Sequence, residues 1–308
     1  MNDGIRDSTK QTYMSAQRDY TKFCNMYNLL SLPTCEKTLM MYVTHLYKRC
    51  MKFSTIKVYL CAIRHMHVVN GFDNPLADNP RLQLSMKALQ YKCGKTTEKL
   101  PITYHILERI FQYIDTNHDK QLVWSAMTLG FYGLLRAAEF TVPSQTKFNP
   151  SLHLTINDVS LRLSDSGTRF MSVMIKASKT DKTCKGYLVH IGCSGKQVCA
   201  VCAMSSYLAS KYHKFGDSGP LYKFINGTVL TKPLFVTMTR TYLAMIGVNP
   251  AKYTGHSYRV GGATTAAEAG LNEWEIKLMG RWSSNAYQTY IKTSVDTIIN
   301  FSPRIVNK

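Results

Sequence analysis

A short polar segment divides this chain into two parts with different apolar patterns. Residues 95–101 follow Gly94, consist mainly of lysine, threonine and glutamate, and end on Pro101. Polar residues between a glycine and a proline are typical of a linker between domains. With 308 residues, the chain is long enough for two domains that each have a core. We therefore expect one domain over residues 1–94 and a second over residues 102–308.

Residues 1–94 show the spacing of amphipathic helices, with apolar residues every three or four positions. Four helices are predicted, beginning near Ser8, Pro33, Ser54 and Asn79. Basic residues lie off the apolar stripes, so this part is expected to be a helical bundle with basic outer faces. Taken alone, that pattern is equally typical of an ordinary bundle with solvated lysine and arginine side chains.

Residues 102–308 mix helical and extended patterns. Two helices are predicted from about Thr103 and Asp119, and further helices follow position 200. Between them, residues 152–161, 169–176 and 186–191 are predicted as strands of a small sheet. The fold class expected for the whole chain is mostly α with a small antiparallel β-sheet (α+β).

Charge is the most unusual property of the composition. The chain has 38 Lys and Arg against 19 Asp and Glu, a formal net charge of +19 that is spread along its length. Such an excess repels itself in a compact protein and points to a polyanionic partner, most commonly nucleic acid. The alternative is a soluble protein that is simply basic.

The cysteines and the length of the apolar runs indicate the cellular compartment of the protein. Nine cysteines is an odd number, and Cys24 and Cys61 lie inside helical patterns, which favours reduced thiols over a disulfide framework. The first residues lack the apolar core of a signal peptide, and no run approaches the roughly 18 apolar residues of a membrane span. We expect an intracellular protein with access to DNA, in the nucleus if the host is eukaryotic, and no membrane partner.

Residues suited to phosphoryl chemistry occur in order along the second part. Arg136 and Arg259 carry planar, permanently charged guanidinium groups that can hold phosphate oxygens. His256 stands three residues before Arg259 and can accept a proton, whereas Tyr290 is a weak nucleophile that needs such a base. Glu139, three residues after Arg136, is placed to orient its guanidinium, or forms a plain structural ion pair.

A second cluster of reactive residues lies between the third predicted strand and the start of the helices predicted after it. His190, Cys193, Cys199 and Cys202 have a spacing that invites a zinc interpretation. We favour the alternative, in which the last two cysteines pack the start of a helix and His190 belongs to a strand. A strand end and a helix start rarely converge tetrahedrally, so no metal ligand is expected.

The ordered set of Arg136, a lysine on a β-turn, His256-x-x-Arg259, Trp282 and Tyr290 resembles the tyrosine recombinase (phage-integrase) family. The resemblance covers essentially the whole chain. It implies a helical, SAM-like core DNA-binding domain over residues 1–94 and a catalytic domain over 102–308. The run from Gly280 to Ser284 is most similar to crypton-like integrases of eukaryotic mobile elements.

The resemblance implies a site-specific DNA recombinase that cleaves and rejoins strands through a 3′-phosphotyrosine intermediate. Lys179, in the lysine-rich turn, would protonate the leaving 5′-oxygen, and Trp282 would donate its indole N–H to the phosphate. No cofactor is expected. The partners implied are double-stranded DNA and other copies of the chain, in a tetramer on two DNA sites. The apolar residues of the C-terminal segment would dock on a neighbouring protomer; they are Val295, Ile298, Ile299, Phe301 and Ile305.

Several assignments stay open from sequence alone. Lys176 competes with Lys179 as the general acid, and Arg281 competes with Trp282 for the second phosphate contact. Tyr287 lies one helical turn before Tyr290. Two other functions remain, a non-catalytic domesticated DNA-binding protein and a type IB topoisomerase-like enzyme.

Overall fold

A computed structural model describes residues 5, 7–93, 99–178, 181, 185–210 and 219–291. The contacts within it divide the chain into two compact units, Met1–Thr96 and Thr97–Lys308. We call these the N-terminal and C-terminal units. None of the described helices combines the length and the apolar character that crossing a membrane requires.

The N-terminal unit consists of four helices, as predicted. They are α1 (Asp7–Met26), α2 (Glu36–Lys48), α3 (Phe53–Val69) and α4 (Pro80–Lys92). Its core contains side chains from the predicted apolar stripes, among them Tyr20, Tyr42, Leu46 and Ile63. The third helix begins at Phe53 rather than at Ser54, and Lys52 precedes it without a capping side chain.

The C-terminal unit contains seven helices and three strands among its described residues. They are α5 (Tyr104–Phe111), α6 (His118–Tyr132), α7 (Ala137–Phe140), β1 (Val159–Leu163), β2 (Arg169–Ile175), β3 (Tyr187–Gly192), α8 (Ala200–Leu208), α9 (Lys232–Met245), α10 (Ser257–Glu268) and α11 (Glu273–Gly280). A short 3-10 helix, Asn285–Thr289, follows where an α-helix was expected.

The three strands form an antiparallel sheet in the order β1-β2-β3, which confirms the predicted fold class. Val173 of β2 lies opposite Val159 on one side and Val189 on the other. The first strand was predicted to begin near position 152, and this is wrong. Thr155 donates from both its backbone N–H and its hydroxyl to Asp158 Oδ2 at 2.7 Å, and this local bonding favours a 3-10 turn before the strand.

Residues 122–131 of helix α6 are buried on all sides of the helix, and α8 and α10 pack against it. Two glycines allow α10 to approach the backbone of Ile102 and of helix α6 closely. A Cβ on Gly261 would lie 1.7 Å from the carbonyl oxygen of Ile102, and one on Gly262 would lie 2.2 Å from that of Phe131. The Ile102 N–H donates to Ser257 O at 3.0 Å. This packing carries Arg259, on the same helix, into the interior of the unit.

The last residues of the predicted linker belong to the surface of the C-terminal unit. Leu100 N–H donates to Lys252 O at 3.0 Å, and Lys99 Nζ lies 3.5 Å from Ala251 O. Residues 95–98 fall outside the described residues.

Candidate active site

The turn between α6 and α7 positions the first arginine. Leu134 adopts a left-handed backbone with φ of 47°, a conformation that costs a non-glycine residue about 1–2 kcal/mol. Arg136 follows as the residue that precedes α7. Its backbone N–H donates to Glu139 Oε2 at 2.9 Å, and its Nη1 donates to Glu139 Oε1 at 2.9 Å. Glu139 therefore orients this guanidinium, as the three-residue spacing predicted.

Arg259 is the largest fully buried side chain of the described residues. Its guanidinium donates to the backbone carbonyl oxygens of Leu134 and of Gly280, the latter at 2.8 Å. Within the part of the chain that the structure describes, its Nε atom is buried without a hydrogen-bond partner. A buried charged donor without a partner is rare and costly, so it marks a position where an acceptor is expected.

Arg281 approaches the same turn from the end of α11. It also has a left-handed backbone, with φ of 56°. Its guanidinium donates to the carbonyl oxygens of Gly133 and Met279 at 3.1 and 3.2 Å, and Nη2 lies 3.6 Å from Glu139 Oε2. Arg281 is thus engaged with backbone carbonyls and a carboxylate in this structure.

Two of the three guanidinium groups, those of Arg136 and Arg281, form ion pairs with Glu139, whose side chain is 3% exposed. Arg259 feels the charge of Glu139 as well but donates its hydrogen bonds to backbone carbonyls. Burial, then the nearby charges of Arg136 and Arg281, lower the pKa of Arg259 to about 10. The excess of positive charge in a site of low polarity suits an anion such as a phosphodiester. We call Arg136, Glu139, Arg259 and Arg281 the arginine cluster.

Trp282 stacks on the buried arginine. The Arg259 Cζ atom lies 4.2 Å from the centroid of the indole, within the range of a cation–π contact. The indole Nε1 is buried and has no hydrogen-bond partner among the described residues. Gly280 makes room for this arrangement, because a Cβ there would lie 1.7 Å from the indole ring. Trp282 thus keeps an unused donor, whereas the Arg281 donors are occupied.

Tyr290 lies beside His256 and the buried arginine. The rings of His256 and Tyr290 meet edge to face with centroids 4.9 Å apart, and Arg259 Cζ lies 5.5 Å from the Tyr290 ring centroid. Thr264 Oγ1 donates to the Tyr290 carbonyl oxygen at 3.2 Å, which ties this residue to α10. The Tyr290 ring therefore lies next to both a proton acceptor and a permanent cation.

The imidazole of His256 is expected to be neutral at physiological pH. Removal of part of the ring from water, followed by the charges of Arg259, Arg136 and Lys232, lowers the pKa of His256 below its ordinary value. A neutral imidazole can accept a proton, whereas a protonated one cannot.

Tyr287 has a different environment from Tyr290. It is 5% exposed and packs in a small cluster with Ala266 and Ile276. Lys277 Nζ lies 5.3 Å from its ring centroid. Tyr287 contributes to the core of this region, so the structure brings together Tyr290, and not Tyr287, with His256.

Of the two lysine candidates for the general acid, Lys176 lies among the described residues. Lys176 Nζ lies 2.6 Å from Asp158 Oδ2 and donates to Pro150 O at 2.6 Å, so it is held in a local ion pair. Lys179 lies outside the described residues. Asp181 is buried and accepts a hydrogen bond from Gly186 N–H at 2.8 Å. The apolar C-terminal residues from Val295 to Ile305 also lie outside the described residues.

Some contributors to the site were missed by sequence reasoning. The carbonyl oxygens of Leu134 and Gly280 orient Arg259, and Thr264 holds Tyr290 from a helix 26 positions away. No local pattern marks these groups, since any residue has a carbonyl and threonine is common in helices. Among the described non-glycine residues of the C-terminal unit, Leu134 and Arg281 have positive φ. Leucine and arginine are not residue types from which such a backbone would be predicted.

Comparison with curated proteins finds a relative among the recombinases. The chain is 24% identical over 295 residues to an integrase/recombinase xerD homolog of Selenomonas ruminantium. The alignment covers 90% of this chain and 79% of the relative. No protein-family model matches the chain.

Comparison with solved structures shows the fold. The Tn1549 transposon integrase, in complex with transposon right end DNA, is similar with a TM-score of 0.65 at 13% identity, over 99% of this chain and 95% of that one. The XerH site-specific recombinase, bound to a palindromic difH substrate, has a TM-score of 0.59 at 14% identity over 92% and 75%. A lambda integrase tetramer bound to a Holliday junction has a TM-score of 0.59 at 12% identity over 94% and 73%.

Proposed function

We propose that the chain is a member of the tyrosine recombinase and integrase family and that it cleaves and rejoins DNA strands through a 3′-phosphotyrosine intermediate on Tyr290. The observation that carries the proposal is the fully buried, incompletely paired Arg259 beside the rings of Tyr290 and Trp282. A permanent cation held in the interior next to a tyrosine is suited to an anionic phosphate during attack on phosphorus.

In the cleavage step, the Tyr290 hydroxyl oxygen attacks the phosphorus and the bond from phosphorus to the 5′-oxygen breaks. His256 takes the proton of the hydroxyl, because its depressed pKa keeps it neutral. Negative charge grows on the non-bridging oxygens, where Arg136 and Arg259 stabilise it. The unused indole N–H of Trp282 supports a further contact to the same phosphate.

The leaving 5′-oxygen needs a proton, which we assign to Lys179. The engagement of Lys176 with Asp158 favours its neighbour in this role. Rejoining reverses the exchange: a 5′-hydroxyl attacks the phosphotyrosine and returns its proton to Lys179. The bond from phosphorus to Tyr290 breaks, and the tyrosine oxygen recovers its proton from His256. One phosphodiester is exchanged for another, so the bond energy is kept and no nucleotide hydrolysis is needed.

We further propose that the N-terminal unit and the C-terminal unit both bind duplex DNA. The net charge of +19 supports this. Recombination exchanges strands between two sites, so we expect four copies of the chain on two DNA sites. The odd number of cysteines supports an intracellular location, which would be the nucleus in a eukaryotic host.

The test is a covalent complex. The protein is incubated with a library of nicked, labelled suicide substrates, and protein-linked DNA is separated on a denaturing gel and sequenced. Wild-type protein should yield an adduct, and Tyr290→Phe should bind DNA without forming one. Loss of a single hydroxyl leaves the ring packing intact, so this variant separates chemistry from folding.

Tyr287→Phe is the matched control, one turn earlier in the same segment. It should retain the adduct, since Tyr287 belongs to the core. An adduct in Tyr290→Phe together with its loss in a folded Tyr287→Phe would reverse the assignment. DNA binding without any adduct from wild type across the whole library would favour the non-catalytic DNA-binding alternative.

A further inference from the structure

Three cysteines that the proposed reaction does not use bring their sulfur atoms together in the C-terminal unit. Cys193 follows β3, Cys199 precedes α8, and Cys202 lies in the first turn of that helix. The Cys193 sulfur lies 3.6 Å from that of Cys199 and 3.7 Å from that of Cys202. All three sulfurs lie within 4.8 Å of one another. We call this group the three-cysteine cluster.

The backbone explains why a strand end and a helix start converge here. The Cys193 N–H donates to Arg169 O at 2.8 Å, which continues the pairing of β3 with β2 beyond the end of the strand. Ser194 Oγ then donates to Val198 O at 3.1 Å and closes a tight connection. The Cys202 N–H lies 3.5 Å from the Cys199 sulfur, so both side chains are held at the same end of α8.

The expectation that these residues would not converge is wrong for the three cysteines. It is correct for His190, whose side chain alternates with the buried Val189 and Ile191 along β3. The His190 Nδ1 atom lies 2.8 Å from Ser172 Oγ. Among the described residues, His190 is not one of those whose ligand atoms lie close enough together to hold one metal ion.

We propose that the three-cysteine cluster binds one zinc ion through its thiolates, with water at the fourth position. A tetrahedral ion with zinc–sulfur bonds of about 2.3 Å separates its sulfur ligands by about 3.8 Å. The separations of the Cys193 sulfur from those of Cys199 and Cys202, 3.6 and 3.7 Å, are close to that value. A disulfide needs a sulfur separation of about 2.05 Å and would use only two of the three thiols. Soft thiolate ligands select zinc over the hard cations magnesium and calcium.

A neighbouring charge fits the same assignment. Arg169 Nη2 lies 3.6 Å from the Cys193 sulfur and 3.7 Å from the Cys202 sulfur. Three thiolates around a divalent ion leave a charge of −1, which this guanidinium offsets while donating hydrogen bonds to sulfur. The N-terminus of α8, a nine-residue helix, adds backbone dipoles that favour negative charge at its first turn.

The site would stabilise the fold rather than take part in strand cleavage. It joins the end of β3 to α8, which packs against α6, and α6 leads into the turn that positions Arg136 and Arg259. A metal bound by the folded unit shifts the folding equilibrium toward the native state. The inference does not depend on the proposed recombinase activity.

The experiment measures metal content and coordination directly. The full chain is purified under reducing conditions without chelator, and zinc is measured by elemental analysis. Cobalt(II) is then titrated into metal-free protein, and the sulfur-to-cobalt charge-transfer band is recorded. Wild type should carry about one zinc per chain and develop this band, and a zinc chelator should lower its melting temperature.

Cys193→Ser, at a half-exposed position, should lose most of the zinc and show a weaker cobalt band, and its melting temperature should not respond to chelator. Cys61→Ser, which changes an exposed cysteine on α3, is the matched control and should behave as wild type. The cobalt titration of wild type needs no variant, so a folding defect in Cys193→Ser does not spoil the test. Absence of both zinc and the thiolate band in reduced wild type overturns the proposal, as does unchanged zinc in Cys193→Ser.

Discussion

The two units differ in whether they bury a basic side chain in addition to the exposed ones. In the N-terminal unit, Lys57 and Arg64 are exposed, and Arg49 forms an ion pair with Asp19 while 46% of its side chain stays exposed. In the C-terminal unit, Arg259 is fully buried and the Glu139 side chain is 3% exposed. Both units therefore expose basic side chains, among them Arg162 and Lys196 of the C-terminal unit, but the C-terminal unit also holds one arginine in its interior.

This difference separates the residues that contribute to DNA affinity from the residue that contributes to the cleavage reaction. Surface lysines and arginines attract DNA by releasing counterions and need no burial to do so. A buried ion loses several kcal/mol of hydration even in a relaxed protein, so its burial is not explained by DNA affinity. Its effect is greatest where charge develops during a reaction, because a site of low polarity strengthens it. The predictions below test this division.

The largest expected effect among these predictions is on the cleavage barrier. Arg136→Ala and Arg259→Ala should each raise it by about 3 kcal/mol or more, as for a lost oxyanion donor, and should weaken DNA binding much less. Single-turnover cleavage of a suicide substrate and a binding titration measure the two quantities. Arg136→Ala is the safer variant, since 23% of its side chain is exposed. Near wild-type cleavage by a folded variant would show that its arginine is misassigned.

The proton donor can be separated from the arginine cluster by changing the leaving atom. Lys179→Ala should slow cleavage of normal DNA by about 100-fold or more, in the range of general acids. Replacement of the 5′-oxygen by sulfur should restore the rate, because a thiolate leaves without a proton. Lys176→Ala is the control and should be cleavage-competent on both substrates. Sulfur rescue of Lys176→Ala alone would move the acid to Lys176.

Substitution of exposed basic residues in the N-terminal unit should weaken DNA binding without slowing cleavage, which is the opposite of the effect expected for Arg259→Ala. Lys57→Gln combined with Arg64→Gln should lower DNA affinity and reduce the salt slope of binding by about one to two units if both contact phosphates. Cleavage at saturating DNA should be unchanged. A fluorescence titration at several salt concentrations measures the slope. An unchanged slope would place these two side chains off the DNA.

The smallest expected effect concerns pH. Cleavage needs neutral His256, so the rate should fall as pH drops through the pKa of His256. Since that pKa is lowered, the acid limb should lie below the ordinary value of about 6.5. Lys232→Gln removes one of the cations responsible, so it should move the limb upward in pH. An acid limb that moves downward in this variant would contradict the assigned cause.

Hydrophobic spacing predicted the helices, whereas local bonding between polar side chains was not visible in the sequence pattern. The helices of the N-terminal unit follow from apolar residues three and four positions apart, and Leu39, Tyr42 and Val43 are buried as that spacing predicts. The start of β1 was wrong because Thr155 and Asp158 form a local hydrogen-bonded turn that no hydrophobic pattern reveals. Three of the residues predicted for the site, Arg259, Trp282 and Tyr290, lie together.

The sequence by itself determined the residue types, their order and the fold class. It left open which tyrosine faces the histidine, because Tyr287 and Tyr290 differ only by their position around one short helix. Tertiary structure decided this by burying Tyr287 in the core. It also brought Arg259 to a carbonyl 125 positions away, and the sulfur of Cys193 to those of Cys199 and Cys202 at the start of α8. Such contacts depend on how elements pack, and packing is not encoded in the spacing of neighbouring residues.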